Sequence, residues 1–237
     1  MMSPYKAALV RNSLSRQVYQ HLKQAIILQE TPEFKMGQRL NEAAIAKMFN
    51  CSVTPVRESI NMLRRDGLIV GNSYQSSSVV SFTIHDVENI FHVRRYLEVG
   101  GLEQAFDQLT VTDIEMLRQS LERYRQAYES FDETGIIEHN RSFHNIILQR
   151  ANNELLCRML ASITDQVAMV RAPIAKERKE WGTHTELLLP VREHEAVLQA
   201  IEAKNLEAAK QALIVHLNRI CRDSCHHYAM AGWEESR

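Results

Sequence analysis

Apolar residues recur along this chain with two different periods, and the change between them divides it. Leu14, Val18, Leu22, Ala25 and Ile26 fall three or four apart, with Arg16, Gln17 and Lys23 on other faces. That spacing predicts an amphipathic helix ending near Glu30-Thr31-Pro32, with Phe34-Lys35-Met36-Gly37 as the turn after it. A second helix starts near Asn41, an N-cap residue type, and buries Ala44, Ile45 and Met48. Asn50-Cys51-Ser52 makes a sharp turn. Thr54-Pro55 opens a third helix, because proline in a first turn loses no hydrogen bond. Val56, Ile60 and Leu63 face inward, Arg57, Asn61, Arg64 and Arg65 lie elsewhere, and Asp66-Gly67 stops the helix. Two short β-type runs follow, Leu68-Ile69-Val70 and Ser78 to Phe82, flanking Gly71-Asn72-Ser73-Tyr74-Gln75. They predict a hairpin.

From Ile84 onward only the helical period remains. Asp86 is the expected cap of a helix running to about Leu109. Thr112-Asp113-Ile114-Glu115 is the expected capping box of the next, which runs to about Phe131. Further helices are expected over Ile136–Arg150, Asn153–Ala172, Leu188–Lys204 and Leu206–Tyr228, with a short separate one between Ala175 and Trp181. The fold expected is mainly α: an N-terminal winged helix-turn-helix and a C-terminal all-α bundle of antiparallel neighbours. The expected boundaries are a tail over 1–10, the winged module over 11–82, a linker over 83–86, the helical module over 87–230 and a tail over 231–237.

Composition sharpens this division. The net charge of -1 over 237 residues hides an asymmetry. Residues 1–82 hold 10 Lys+Arg against 5 Asp+Glu, and the remainder holds 18 against 24. A basic first module joined to an acidic second one points to a polyanion partner for the first alone. No apolar run approaches the roughly 20 residues that span a bilayer, and the N-terminus lacks a signal-peptide core. Cys51, Cys157, Cys221 and Cys225 are too scattered for a disulfide scaffold. The chain reads as cytoplasmic, with no membrane partner.

In a winged helix-turn-helix the third helix enters the major groove with its N-terminal residues at base edges. Arg57 suits a bidentate contact to guanine, worth about 1–3 kcal/mol of discrimination. Ser52 and Thr54 reach phosphates or bases, and Val53 reads a thymine methyl. Asn61, Arg64 and Gln75 complete the candidate DNA contacts. A helical hairpin with merely solvated arginines is the alternative. The run Leu40, Glu42, Ala46, Ser52, Thr54-Pro55-Val56-Arg57-Glu58, Leu63 and Gly67-Leu68 resembles the winged helix-turn-helix of the GntR family of bacterial transcription regulators. The family often has arginine at Ala43, usually has it at Val53, and often has a basic wing tip, whereas Asn72–Ser78 carries no charge. The resemblance therefore implies fewer cationic contacts and a shallower salt dependence than in relatives.

The second candidate site lies among the helices. Asn140 and His144 are four apart and share a face. His194 lies on the face of Val191, Leu198 and Ile201, and His216 on that of Ala212, Leu213 and Ile220. Three neutral imidazoles meeting in a bundle core would hold a divalent metal, Zn or Ni before Mn or Fe. By spacing alone a histidine on an apolar face is more often a hydrogen-bonded core residue than a ligand. Val93-Arg94-Arg95-Tyr96-Leu97-Glu98, Phe143-His144, Ala151 to Leu156, Glu193-His194 and His216-Leu217 resemble the FCD effector domain of the FadR-like branch. That resemblance implies a metal held by an acid and three histidines, here Asn140, His144, His194 and His216, with an amide where the branch has Asp. It also implies a small carboxylate effector bound through the metal and an arginine. Arg94 is the first candidate, then Arg95 and Arg171, because the planar guanidinium fork takes both carboxylate oxygens.

The whole then reads as a homodimeric, ligand-responsive transcription regulator on a pseudo-palindromic operator, a repressor in the family's commoner mode, and no enzyme. A bundle without metal that binds an apolar or acyl ligand is the alternative, and a three-histidine hydrolase the remote one. Cys221-Arg222-Asp223-Ser224-Cys225-His226-His227 has soft-metal ligands, but the sequence sets no second ligand pair beside it. It reads as a surface helix end or a dimer contact.

Overall fold

The computed structural model describes residues 4–71, 76–181 and 188–230. The chain divides into two units, Met1–Ser81 and Phe82–Arg237.

The first unit holds three helices and a hairpin. Helix α1 (Pro4–Leu28) packs against α3 (Val53–Arg65), and α2 (Glu42–Met48) packs against α3 from another side. Val18, Leu22, Ile26, Val56, Ile60 and Leu63 are buried, as their spacing predicts. Helix α1 begins well inside what the sequence suggested as a tail. The turn between α2 and α3 is sharp for a definable reason. Asn50 takes a left-handed φ of 48°, so that the Cys51 N–H reaches the Ala46 carbonyl at 2.9 Å and the Asn50 N–H reaches Lys47 at 3.2 Å. These are the paired bonds of a Schellman motif. Gly67, at φ 74°, repeats the motif after α3, with Leu68 N–H on Leu63 at 3.0 Å and Gly67 N–H on Arg64 at 3.1 Å. Asn41 caps α2, its side chain accepting from the Ala43 and Ala44 amides. Strands β1 (Ile69–Val70) and β2 (Ser78–Val79) pair antiparallel, Ile69 opposite Val79, and Arg39 bridges to Ser78. The expected tip of the wing, including Gln75, lies outside the described residues.

The second unit is helical throughout the described residues. It comprises α4 (Ile84–Ala105), α5 (Val111–Glu129), α6 (Glu133–Gln149), α7 (Glu154–Trp181), α8 (Leu189–Glu202) and α9 (Leu206–Met230). Helix α4 packs on α9, α7 and α6; α5 packs on α6 and α8; α8 packs on α9. Their shared core includes Leu102, Leu117, Tyr124, Phe143, Val191, Leu198, Leu213 and Leu217. Gly101 lets α4 approach its neighbours, since a methyl there would stand 2.3 Å from Leu148.

Three boundaries differ from the sequence-based expectation. Thr83, not Asp86, caps α4; Asp86 is the third residue of that capping box, so the expected linker is already the first turn of α4. Thr110 with Asp113, not Thr112 with Glu115, starts α5. Helix α7 continues through Pro173 instead of breaking before a separate short helix. No helix among the described residues is long and apolar enough to cross a membrane.

Candidate functional site

His144 on α6, His194 on α8 and His216 on α9 are all buried and meet in the core of the second unit. One ring nitrogen from each lies within 4.8 Å of the other two. The Nε2 atoms of His144 and His194 are 3.0 Å apart. Phe143 and Tyr124 stand edge-on to the His194 ring and wall it off with apolar carbon.

The outward nitrogens fix two of the tautomers. His144 Nδ1 lies 2.7 Å from Glu98 Oε2, His194 Nδ1 lies 2.7 Å from the Pro190 carbonyl, and His216 Nδ1 lies 2.8 Å from Glu193 Oε2. The Pro190 carbonyl and the Glu193 carboxylate only accept, so the Nδ1 of His194 and of His216 carries the proton and their Nε2 atoms turn lone pairs inward. Burial, then the neighbouring His144, holds the His194 pKa well below the usual imidazole range. Burial, then His194 and His144, does the same at His216. Both are therefore neutral, the state that binds metals.

The residues fit a cation, and one observation carries that. The 3.0 Å contact between the Nε2 atoms of His144 and His194 is satisfied by a shared proton as well as by a cation. His216 Nε2 is buried with no hydrogen-bond partner, a costly condition unless something else takes its lone pair. The donors are three imidazoles, which suit Zn, Ni and related ions over Mg or Ca.

The outer partners are themselves held. Arg94 donates from Nε to Glu98 Oε1 at 2.5 Å, and both side chains are buried. Burial alone would raise the Glu98 pKa, but Arg94 and then His144 outweigh it and hold the carboxyl at about 2. Arg219 grips both oxygens of Glu193 and donates from Nη1 to Asp223 at 2.5 Å. Two Arg–Glu–His lines thus converge on the centre from α4 and from α8 with α9. Each is the carboxylate-to-histidine support that orients metal ligands and raises their basicity.

The other candidate residues separate. Asn140 lies one turn before His144, and its Oδ1 is 3.4 Å from the Tyr124 hydroxyl, beside the His194 ring. Arg94 acts electrostatically on both His194 and His216. Its bond to Glu98 uses one of five N–H donors. Arg171 on α7 acts on buried Tyr124. Arg95 points away from this set: it donates to Asn218 at 2.6 Å and lines a surface cleft between α4 and α9.

In the first unit, Ser52 precedes α3 as its N-cap without spending its hydroxyl on the helix. The first turn of α3 therefore has no side-chain cap from Ser52, an arrangement that suits phosphate. Thr54 and Asn61 are exposed, Val53 half-buried. Arg57 is exposed and rests on Glu42 at 3.0 Å, an exposed pair that contributes little and is easily exchanged. Arg64 is committed differently. It donates to Asn61 Oδ1 at 2.5 Å and to Ser77 Oγ at 2.9 Å, tying α3 to the residue before β2. That bond makes it a brace of the motif.

Glu98, Pro190, Glu193 and Arg219 were not singled out as site residues by the sequence. The Arg94–Glu98 spacing of four was a usable signal. Glu193 is the neighbour of His194 on α8, and its carboxylate reaches His216 on the next helix.

Comparison with known proteins follows the same two units. The family of bacterial regulatory proteins called the gntR family matches residues 14–79, and the FCD domain family matches residues 89–219. The uncharacterised HTH-type transcriptional regulator YdhC of Bacillus subtilis is 31% identical over 89% of this chain and 90% of its own. The HTH-type transcriptional regulator McbR of Escherichia coli is 30% identical over 85% of this chain and 88% of its own. The solved structure of E. coli McbR/YncC superposes with a TM-score of 0.75 at 26% identity, covering 91% of this chain and 98% of that one.

Proposed function

The chain belongs to the GntR family of bacterial regulatory proteins and carries an FCD domain, and from this we propose a homodimeric transcription repressor that senses a small carboxylate at a metal in the helical unit. One observation carries the finer part of this reading: the inward Nε2 lone pairs of His194 and His216, each fixed by an acceptor on Nδ1, with that of His216 buried and unmatched. His144, His194 and His216 would hold a divalent cation, zinc before nickel, manganese or iron, with Asn140 as a neutral fourth donor. The cation supplies Lewis acidity and positive charge to hold an anionic oxygen. Arg94 presents its remaining N–H donors to the second oxygen of a carboxylate. Glu98 and Glu193 face the Nδ1 side, so neither is placed as a general base, which supports a sensing role over hydrolysis.

In the DNA-binding unit, Ser52, Val53 and Thr54 would meet phosphates and bases, Arg57 would exchange Glu42 for guanine, and Asn61 and Gln75 would add contacts. A dimer sets two α3 helices on a pseudo-palindromic site in the cytoplasm. The effector shifts operator affinity only by its differential binding to the two arrangements of the dimer.

The test starts with selection of bound duplexes from a randomised library and assay of metal in the protein as purified. A two-fold-symmetric motif, one metal per chain, and release of that duplex by carboxylates from the loaded but not the chelator-stripped protein support the whole reading. An enriched motif released equally well by effector after stripping would favour the metal-free bundle. No enriched motif, with or without metal, would overturn the operator assignment.

A further inference from the structure

The cleft lined by Arg95 lies outside the three-histidine centre and is lined by residues with chemistry of their own. Its volume is about 470 Å³, and Glu88, His92, Arg95, Asn218, Cys221 and Cys225 line it. Glu88 and His92 are four apart on α4, and Cys221 and Cys225 are four apart on α9, so each pair shares one helix face. The sequence places no second ligand pair beside the two cysteines, but the packing of α4 on α9 does.

The register between these helices is defined by two ties. Arg95 reaches Asn218 at 2.6 Å, and Glu103 reaches Lys210 at 3.5 Å, so the helices run antiparallel with matched intervals. Followed toward the start of α4, that register sets His92 opposite Cys221 and Glu88 opposite Cys225. Two sulfurs, one imidazole and one carboxylate thereby face one opening from two rigid elements. This donor set belongs to the tetrahedral, sulfur-rich class that selects zinc and cadmium.

We propose that Glu88, His92, Cys221 and Cys225 form a second metal site, a thiolate site for a zinc-type ion, stapling the start of α4 to the end of α9. The four donors do not yet form a closed cage. Among the described residues, only the three core histidines have ligand atoms already within 4.8 Å of one another. Glu88 and His92 are exposed, however, and free to turn into the cleft about their side-chain bonds. Charge also favours occupancy. Two thiolates and the Glu88 carboxylate would be offset by a dication together with Arg95 and Arg222 at the rim.

The chemistry of the thiols separates a metal site from a redox or nucleophilic pair. Burial, then the neighbouring Cys221, pushes the Cys225 thiol up to about 12, and burial, then Glu88, raises Cys221. Without a cation both stay protonated and poorly nucleophilic. Each sulfur forms its metal bond as its S–H proton leaves to solvent, so uptake releases two protons and tightens as pH rises.

The experiment uses the full-length, reduced, chelator-stripped protein titrated with Cd(II), read by the ultraviolet sulfur-to-cadmium charge-transfer band. The core site contains no sulfur and cannot give that band. The expected result is a band of one cadmium per chain that is complete by two equivalents, since the core histidines take up cadmium without giving a band, and that disappears in the Cys221→Ser/Cys225→Ser double variant. It persists in His144→Ala and there saturates with about one equivalent, which separates this site from the core one. His92→Ala and Glu88→Ala should each weaken cadmium binding by roughly tenfold or more, at least what loss of an outer-shell partner costs. These are exposed positions, and an unchanged apo melting temperature confirms that the variants fold. Absence of the band in the wild type would overturn the site. So would a band surviving the double serine variant, which would then come from Cys51 or Cys157. Unchanged affinity in both α4 variants would overturn the four-residue assignment.

Discussion

Glu193 gives the sharpest test of how the core centre is held. Its Oε2 accepts from His216 Nδ1 at 2.8 Å and from Arg219 Nη2 at 2.7 Å, while Oε1 accepts from Arg219 Nε. Glu193→Gln keeps the shape but leaves one oxygen for these donors. The amide oxygen at the Oε2 position keeps both Arg219 Nη2 and His216 Nδ1, and the NH2 faces Arg219 Nε. What His216 loses is the negative charge on its Nδ1–H acceptor, which makes the inward Nε2 less basic. Loss of such an outer partner costs about 10–100-fold in metal affinity, or about 1.4–2.7 kcal/mol. The variant also weakens the Arg219 ion pair, which lowers stability with or without metal. The quantity to measure is therefore the metal-induced rise in melting temperature, taken as the loaded minus the stripped value for each protein. Stabilisation by a bound ion falls by the same free energy as its affinity at a fixed saturating concentration. The increment should shrink in Glu193→Gln and stay constant in Asp223→Asn, which bonds Arg219 at Nη1, away from Glu193. An unchanged increment in Glu193→Gln, confirmed by chelator competition, would refute the support of His216 by the Glu193 carboxylate.

Three further outcomes follow from the same geometry. The stripped protein should lose stability as pH falls below about 6.5, because His194 and His216 are held neutral in the fold while the unfolded chain takes up protons. The loss is at most about 1.4 kcal/mol per histidine per pH unit. Glu98, held at about 2 against an ordinary 4.5, keeps its contribution until the pH drops below 4.5, so denaturant melts at pH 7 and pH 5 isolate the histidines, and a flat profile would count against their neutrality. Arg57→Ala should cost about 1–3 kcal/mol in binding the selected operator and leave the melting temperature nearly unchanged. Equal sequence preference in fluorescence anisotropy would remove Arg57 from base readout. Asn140→Asp should tighten metal binding by adding a charge one turn from His144. A weaker site in isothermal titration would place Asn140 outside the ligand set.

The helix-turn-helix was legible because its punctuation is local. Asn41, Asn50 and Gly67 act within four residues of themselves, and the capping and Schellman bonds they make can be read from residue type and order. The start of α5 was misplaced because two capping frames overlap, Thr110 with Asp113 and Thr112 with Glu115. The structure chooses the first, and the reason is distant: Arg150 at the end of α6 bonds Asp113 at 2.8 Å, whereas Glu115 stays exposed beside Arg118. Burial works against the Asp113 carboxyl, but Arg150 and Thr110 overcome it and hold the pKa at about 2. A sequence window around Thr112 contains neither partner.

The site divides along the same line. Each histidine announces itself by lying on an apolar helix face, a property of one helix alone. What converts three such residues into a candidate centre is the set of acceptors on the other nitrogens, and two of those come from other helices. Glu98 reaches His144 from α4, and Glu193 reaches His216 from α8. Those pairings depend on inter-helix register, which single-chain periodicity does not encode. The register carries a consequence for the proposed effector. Arg94 and Glu98 form a closed, neutral pair when nothing else is bound, and His194 and His216 are neutral too. A dication entering such a core leaves it with uncompensated charge, which an anion can balance far better than a neutral ligand can. On the metal-bound reading, a carboxylate is thus favoured by the charge state of the core itself. Its natural second contact, Arg94, sits on the helix that starts where the DNA-binding unit ends.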